Sequence, residues 1–162
     1  MDKMTFRTWG EQFDPWTDSA GDRSRRETMR QDGHGTLLLV EDEDRLRKLV
    51  AQFLRAEGFD VTEAGDGAEG VDRFGDSGPF DLVLLDLNLP VFSGVEVCRR
   101  IKRRNPDQRV MICSAAIVRA HEDALSLMGV EHFLTKPYHP ADLISHIAAE
   151  LSQRLGAAPL TA

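Results

Sequence analysis

Four short strand-like runs in this 162-residue chain end on side chains that can do chemistry. Glu41, Asp42, Glu43 and Asp44 follow the run 37–40, Asp86 follows 82–85, Ser114 follows 109–113, and Lys136-Pro137 comes just beyond 131–134. Carboxylates gathered within a few ångströms raise one another's pKa unless a cation compensates. A hard divalent ion answers that problem, and Mg²⁺, which takes oxygen ligands and keeps several waters, suits a site with few protein ligands. A lysine ammonium in the same place can neutralise a carboxylate at rest and reach a phosphoryl oxygen when one arrives. A serine hydroxyl can donate to another of those oxygens. The set suits phosphoryl chemistry, provided the fold brings its members to one place.

The pattern of apolar residues predicts such a fold. Leu37 to Val40 and Leu82 to Leu85 are continuous apolar runs, as expected of strands buried on both faces of a parallel sheet. Between them, Leu46, Leu49, Val50, Phe53 and Leu54 recur at helical spacing before Gly58, Phe59 to Ala64 alternates as a strand, and Ala68 to Phe74 suits a short helix. Val95, Cys98 and Ile101 stripe a third helix that ends at Asn105-Pro106, because proline disfavours the helical conformation in the residue before it. Arg109 to Cys113, Ala120 to Met128, Glu131 to Leu134 and a last helix faced by Leu143, Ile144, Ile147, Leu151 and Leu155 complete five strand-helix alternations. Alternation of this kind calls for an α/β, doubly wound parallel sheet with helices on both faces. Ligands of such sheets sit beyond the carboxyl ends of the strands, where the reactive residues fall.

Composition limits the rest. With 27 acidic against 20 basic residues and a net charge of −7, the chain is repelled as a whole by nucleic acid and by anionic membrane surfaces. Two cysteines, Cys98 and Cys113, have neither disulfide-framework nor metal-type spacing, which places the protein in a reducing compartment, the cytoplasm. No stretch approaches the ~18 apolar residues of a membrane span. Residues 1–35 lack a sustained period and read as an N-terminal arm outside the core, a flexible extension or a stretch before a true start at Met29, with Phe13, Asp14, Pro15 and Trp16 as an alternative docking segment for a partner's groove; residues 156–162 are a short tail.

Four motifs carry a family resemblance: LLLVEDE (37–43), DLVLLDLNLPVFSG (81–94), VMICSA (110–115) and FLTKP (133–137). In order, spacing and strand-end placement they resemble the receiver domain of two-component response regulators, a flavodoxin-like fold, over residues 36–155. The resemblance implies the strand order 2-1-3-4-5. It implies that Asp86 is the phosphoacceptor, attacking a phosphohistidine of a sensor kinase or phosphotransfer protein. Glu41, Asp42, Asp86 and the backbone of Asn88 are implied as the Mg²⁺ site, with Glu41 acting through water. Lys136 is implied as the phosphoryl partner, with a cis bond to Pro137. Ser114 and Phe133 are implied as the switch pair, whose movement reshapes the face of the fourth helix, fifth strand and fifth helix. By the same resemblance, Asn88 and Ala116 are expected to border the pocket and to bear on the lifetime of the phosphoryl group. The chain departs mildly where members often carry tyrosine (Phe133) and threonine (Ser114), and its Glu41 replaces a commoner aspartate. The expectation is a signalling phosphoacceptor that assists its own phosphotransfer and dephosphorylation. It stands alone, without an attached output domain, and acts on an unnamed downstream protein. A phosphate sink or relay intermediate is the alternative, and homodimerisation through the fourth-helix face is left open.

Other motifs compete. Gly65, Gly67 and Gly70 fit GxGxxG, the mark of a nucleotide-binding flavodoxin-like enzyme, but they follow the second strand, not the first. A connecting turn is the plainer reading. Asn88 stands where aspartyl-phosphate phosphatases carry a second aspartate, against a hydrolase. Arg99, Arg100, Lys102, Arg103 and Arg104 crowd the end of the third helix, where cations complement the helix dipole. They form a solvated face or a docking patch for an acidic partner. The five histidines have no metal spacing and suit surface or turn positions, and both cysteines read as core residues.

Overall fold

A computed structural model describes residues 35–152. The arm (1–35, apart from Gly35) and the tail (156–162) read from the sequence, together with Leu155 of the expected last helix, lie outside the described residues. The elements alternate throughout: β1 (Thr36–Val40), α1 (Asp44–Ala56), β2 (Asp60–Ala64), α2 (Gly67–Ser77), β3 (Leu82–Leu85), α3 (Gly94–Arg104), β4 (Val110–Ser114), α4 (Arg119–Ser126), β5 (His132–Thr135) and α5 (Pro140–Ser152). All strand pairs are parallel, in the order β2-β1-β3-β4-β5.

Alternate residues of each strand feed two cores. Leu38, Val40, Val83, Leu85, Val110 and Ile112 pack with Phe74 of α2, Val97 and Ile101 of α3 and Leu125 of α4. Leu37, Leu39, Leu82, Leu84, Met111 and Cys113 face the other way, against Val50 and Leu54 of α1 and Leu143 and Ile147 of α5. Both faces are buried, which is why β1 and β3 read as unbroken apolar runs with no polar alternation. Cys98 and Cys113 are both buried core residues, and burial pushes the Cys98 thiol up to about 11.

Two local devices set helix starts. Asp66 caps α2, accepting from the Glu69 N–H at 2.8 Å, while the Glu69 carboxylate accepts from the Gly65 N–H at 2.8 Å. Ser93 caps α3 through the Glu96 N–H. Each satisfies amides that a helix's first turn leaves unpaired.

Several boundaries differ from expectation. β4 runs from Val110 to Ser114, so Ser114 is the last strand residue and not the first beyond it, and β5 is displaced one residue in the same sense. The Ser114–Thr135 pairing extends both strands past their apolar run. α2 continues three residues past Phe74 because its final turn needs only backbone bonds before Gly78, whose N–H reaches the Phe74 carbonyl. α4 is shorter than its pattern and ends at Ser126. His132 is half-buried rather than a surface residue, with Nε2 2.7 Å from a Glu150 carboxylate oxygen.

Candidate functional site

Strand register assembles the site. Val40 pairs with Leu85, so the next residues, Glu41 and Asp86, emerge side by side; Ser114 pairs with Thr135, which puts Lys136 one step beyond. Chain continuity across this rim is held by the Lys136 N–H to the Ser114 carbonyl at 3.0 Å and the Glu41 N–H to the Ala64 carbonyl at 3.1 Å. The Lys136–Pro137 peptide is cis, as the resemblance implies, and so is Gly78–Pro79, which the sequence reading did not anticipate.

Asp86 is 7% exposed, and its carboxylate accepts from three donors. Ser114 Oγ, fully buried, donates to Oδ1 at 2.8 Å, and the Asn88 backbone N–H donates to the same oxygen at 3.0 Å. Lys136 Nζ donates to Oδ2 at 2.6 Å. The same ammonium also donates to Glu41 Oε2, while Glu41 Oε1 accepts from the Glu43 N–H at 3.2 Å. Lys136 therefore links the two buried carboxylates and keeps one of its three N–H bonds uncommitted to them.

The electrostatics follow from burial. Desolvation raises the Glu41 pKa above the usual carboxylate range, more than the neighbouring Lys136 can lower it, and the charge on Asp86 adds to the rise. Burial also works against the Lys136 ammonium, but the Glu41 and Asp86 carboxylates outweigh it and hold its pKa above the usual lysine value. The carboxylates are left short of positive charge. Oxygens of Glu41, Asp42 and Asp86 lie within 4.8 Å of one another, and Asp42 keeps its side chain exposed. Two buried acids and one open to water form an all-oxygen set of the kind a hard divalent cation takes.

The structure thus brings Glu41, Asp42, Asp86, Ser114 and Lys136 together and joins Asn88 to them through its backbone. Ala116 is exposed just past β4. Phe133 is not in the pocket: it is half-buried and packs against the α2-α3-α4 core. Sequence reasoning missed Arg47, whose Nη1 donates to the Glu41 carbonyl at 2.8 Å and whose Nη2 bonds Asp44 at 2.6 Å. Its place one helical turn after the acidic run was the available signal.

The glycine-rich turn is a connector. The N–H of Glu69 is taken by Asp66 and that of Gly65 by Glu69, and a Cβ at Gly67 would lie 2.1 Å from the Phe92 carbonyl oxygen. Backbone packs where a nucleotide's phosphates would have to sit.

Comparison with known proteins agrees with this geometry. A family model described as "Response regulator receiver domain" matches residues 37–148. Among curated relatives, the sensory transduction protein RegX3 of Mycolicibacterium smegmatis is 39% identical over 116 residues, 72% of this chain and 50% of its own. The cell cycle transcriptional regulator CtrA of Caulobacter vibrioides is 34% identical over 120 residues, 74% of this chain and 52% of its own. The chain spans about half the length of these relatives. A CheY-like receiver domain protein from Methanospirillum hungatei JF-1 superposes with a TM-score of 0.72 at 23% identity, covering 76% of this chain and 98% of that one; at that identity it speaks for the fold alone.

Proposed function

The chain belongs to the response regulator receiver domain family, and from that premise we propose that Asp86 is its phosphoacceptor, with Glu41, Asp42, Asp86 and Asn88 forming a Mg²⁺ site. One observation carries the reading: a nearly buried carboxylate at a strand end is held by a hydroxyl, an amide and an ammonium, all donors that a phosphoryl group could use in turn. In the proposed step, an Asp86 oxygen attacks the phosphorus of a phosphohistidine on a sensor kinase or phosphotransfer protein. The P–N bond breaks, its electron pair passes to the imidazole nitrogen, which is then protonated, and an aspartyl phosphate remains. Bound Mg²⁺ would supply charge neutralisation for the incoming phosphoryl oxygens. Lys136 directs its remaining N–H bond at one of those oxygens, and Ser114 turns its hydroxyl from Asp86 to another. Positioning and charge, not a strong nucleophile, do the catalytic work.

The protein is on this reading a phosphoacceptor of two-component signalling that acts in the cytoplasm by a phosphorylation-dependent contact with a downstream protein. Among the described residues no helix is long and apolar enough to cross a membrane. A phosphate sink or relay is the second reading. It is favoured by Phe133, which already packs on the core and has no hydroxyl to offer a partner, and by Ser114, which already bonds Asp86.

The test is labelling with a small phosphodonor and Mg²⁺. Incorporation that disappears in Asp86→Asn and with a chelator supports the assignment; incorporation that survives Asp86→Asn removes it. Amide NMR shifts on adding a phosphoryl mimic separate the two roles. Shifts that extend through His132 to Thr135 belong to a switch, and shifts confined to the strand-end pocket belong to a sink.

A further inference from the structure

The α3 helix is a local inversion of the protein's charge. Residues 35–152 carry 20 acids against 13 bases, yet between Gly94 and Arg104 five cations face one carboxylate, Glu96. Glu96 pairs with Arg99 and Arg100 and can neutralise only one charge. Arg104 donates to the Gly75 carbonyl, Lys102 to the Pro106 carbonyl, and Arg103 is exposed. Carbonyl contacts leave the charge in place, so the face has a surplus of four positive charges. It also holds an aromatic ring: the Arg100 guanidinium lies 3.9 Å from the centroid of Phe92. Cation–π contact of this kind is worth ~0.5–1 kcal/mol at exposed sites.

The complement of this face is in the chain itself. Residues 8–22 contain Glu11, Asp14, Asp18 and Asp22, no lysine or arginine, and the aromatics Trp9, Phe13 and Trp16. Residues 23–34 are of the opposite sign, with Arg23, Arg25, Arg26 and Arg30 against Glu27 and Asp32. We propose that the acidic-aromatic segment 8–22 docks intramolecularly on the basic face of α3.

Topology favours the arm over another acidic occupant. The arm joins β1 at Gly35, on the amino edge of the sheet, where Asp81 accepts from the Thr36 N–H at 2.8 Å and Asp60 is exposed. α3 runs antiparallel to the strands, so its basic last turn reaches the same edge, where the Arg109 carbonyl accepts from Val83 N–H at 3.0 Å. The basic stretch 23–34 therefore leaves from beside acids, and the acidic stretch beyond it meets cations. Twelve residues lie between Asp22 and Gly35, and a random coil of that length reaches roughly 20 Å. The eleven residues of α3 span about 16 Å. Tethering at that range gives an effective concentration on the order of 1 mM, which a separate partner must match by affinity.

Both tryptophans of the chain, Trp9 and Trp16, lie in the proposed segment, so tryptophan emission, excited selectively over Tyr138, reports on it alone. Acrylamide quenching of the full chain is the measurement. At low salt the Stern–Volmer constant should be about half or less of its value in ~1 M NaCl, where screening falls to ~3 Å. Arg99→Glu with Arg103→Glu should give the high-salt value at low salt, and adding Asp14→Arg and Asp18→Arg should restore protection. Far-UV circular dichroism checks that the domain is intact, and Asp14→Arg with Asp18→Arg alone, which changes no residue of the described domain, must lose protection. A quenching constant indifferent to salt and to charge reversal overturns the proposal. Protection that grows with protein concentration overturns it too, by assigning the contact to a second copy.

Discussion

Replacing Lys136 by methionine tests the electrostatic account of the site, because it keeps volume and removes the one cation bonded to both buried acids. Glu41 is 5% exposed and Asp86 7%, and breaking a buried pair leaves charge uncompensated at a cost of ~3–5 kcal/mol. The variant has an escape: Glu41 can bind a proton. From its ordinary value of 4.5, doing so at pH 7 costs about 3.4 kcal/mol at 1.36 kcal/mol per pH unit, and at pH 5 only about 0.7. The penalty is therefore capped near 3 kcal/mol at neutral pH and below about 1 kcal/mol at pH 5. The sign follows from linkage. Glu41 has a folded pKa above its unfolded one, so the stability it contributes is complete below about 4.5 and is lost as pH rises through the folded value. Removing Lys136 raises that folded value further, and the loss then continues to higher pH.

The assay is thermal unfolding of metal-free protein followed by circular dichroism. At pH 7 Lys136→Met should melt on the order of 10 °C below wild type, and the gap should close most of the way at pH 5. Millimolar MgCl₂ should then raise the Tm of the variant more than that of wild type, because on the proposed reading the ion and the ammonium share oxygens of Glu41 and Asp86. A variant as stable as wild type at pH 7, or a deficit that persists at pH 5, refutes the burial argument. Greater Mg²⁺ stabilisation of wild type refutes the shared oxygens.

Gly94→Ala places a Cβ 2.1 Å from the Asp86 carbonyl oxygen and 2.7 Å from the Leu87 Cα, backbone atoms that cannot give way alone. It should cost ~1–3 kcal/mol in denaturant unfolding and slow Asp86 phosphorylation, whereas Gly129→Ala, strained at φ +77° but in open space, should cost stability without touching phosphorylation. Gln108, 2% exposed, accepts from the Phe80 N–H at 3.1 Å and donates to the Phe80 carbonyl at 2.8 Å. Gln108→Leu orphans both, and urea unfolding should show a loss of roughly 2–4 kcal/mol with labelling of Asp86 unchanged.

The fold was legible because both sheet faces are buried. Runs such as Leu82 to Leu85, with no polar interruption, leave few alternatives to a parallel core strand, and the stripe of Leu46, Val50, Phe53 and Leu54 marks α1 without help from tertiary structure. The candidate site was legible for a related reason: polar residues just past an apolar strand run fall at the rim of the sheet, so Glu41, Asp86 and Lys136 announce themselves by position. Gln108 and Arg47 did not. Arg47 reaches the Glu41 carbonyl from the first turn of α1, where its place after the acidic run was the one hint; Gln108 acts on the backbone of Phe80, in a distant part of the chain, and such a partner leaves no local pattern. His132 was misplaced for the same reason, since its neighbour Glu150 is eighteen residues on, in another element.

The glycine-rich turn, read from the sequence as a connector, does more in the fold than join β2 to α2, because it supports Asp86. The Gly67 N–H donates to the Pro90 carbonyl at 3.1 Å, and the Phe92 carbonyl oxygen occupies the space a Gly67 side chain would need. Between those two contacts Val91 is held at φ 69°, a conformation that costs a β-branched residue on the order of 1–3 kcal/mol. The same loop begins at Asn88, whose N–H bonds Asp86, and closes at Gly94, whose N–H reaches the Leu87 carbonyl at 2.9 Å. A strained loop persists only where its surroundings fix it, and here the fixing element is the start of α2. The absent Cβ of Gly67 thus lets the 88–94 loop lie close enough to present the Asn88 amide to the carboxylate, which makes the second strand-helix turn a part of the scaffold that holds Asp86.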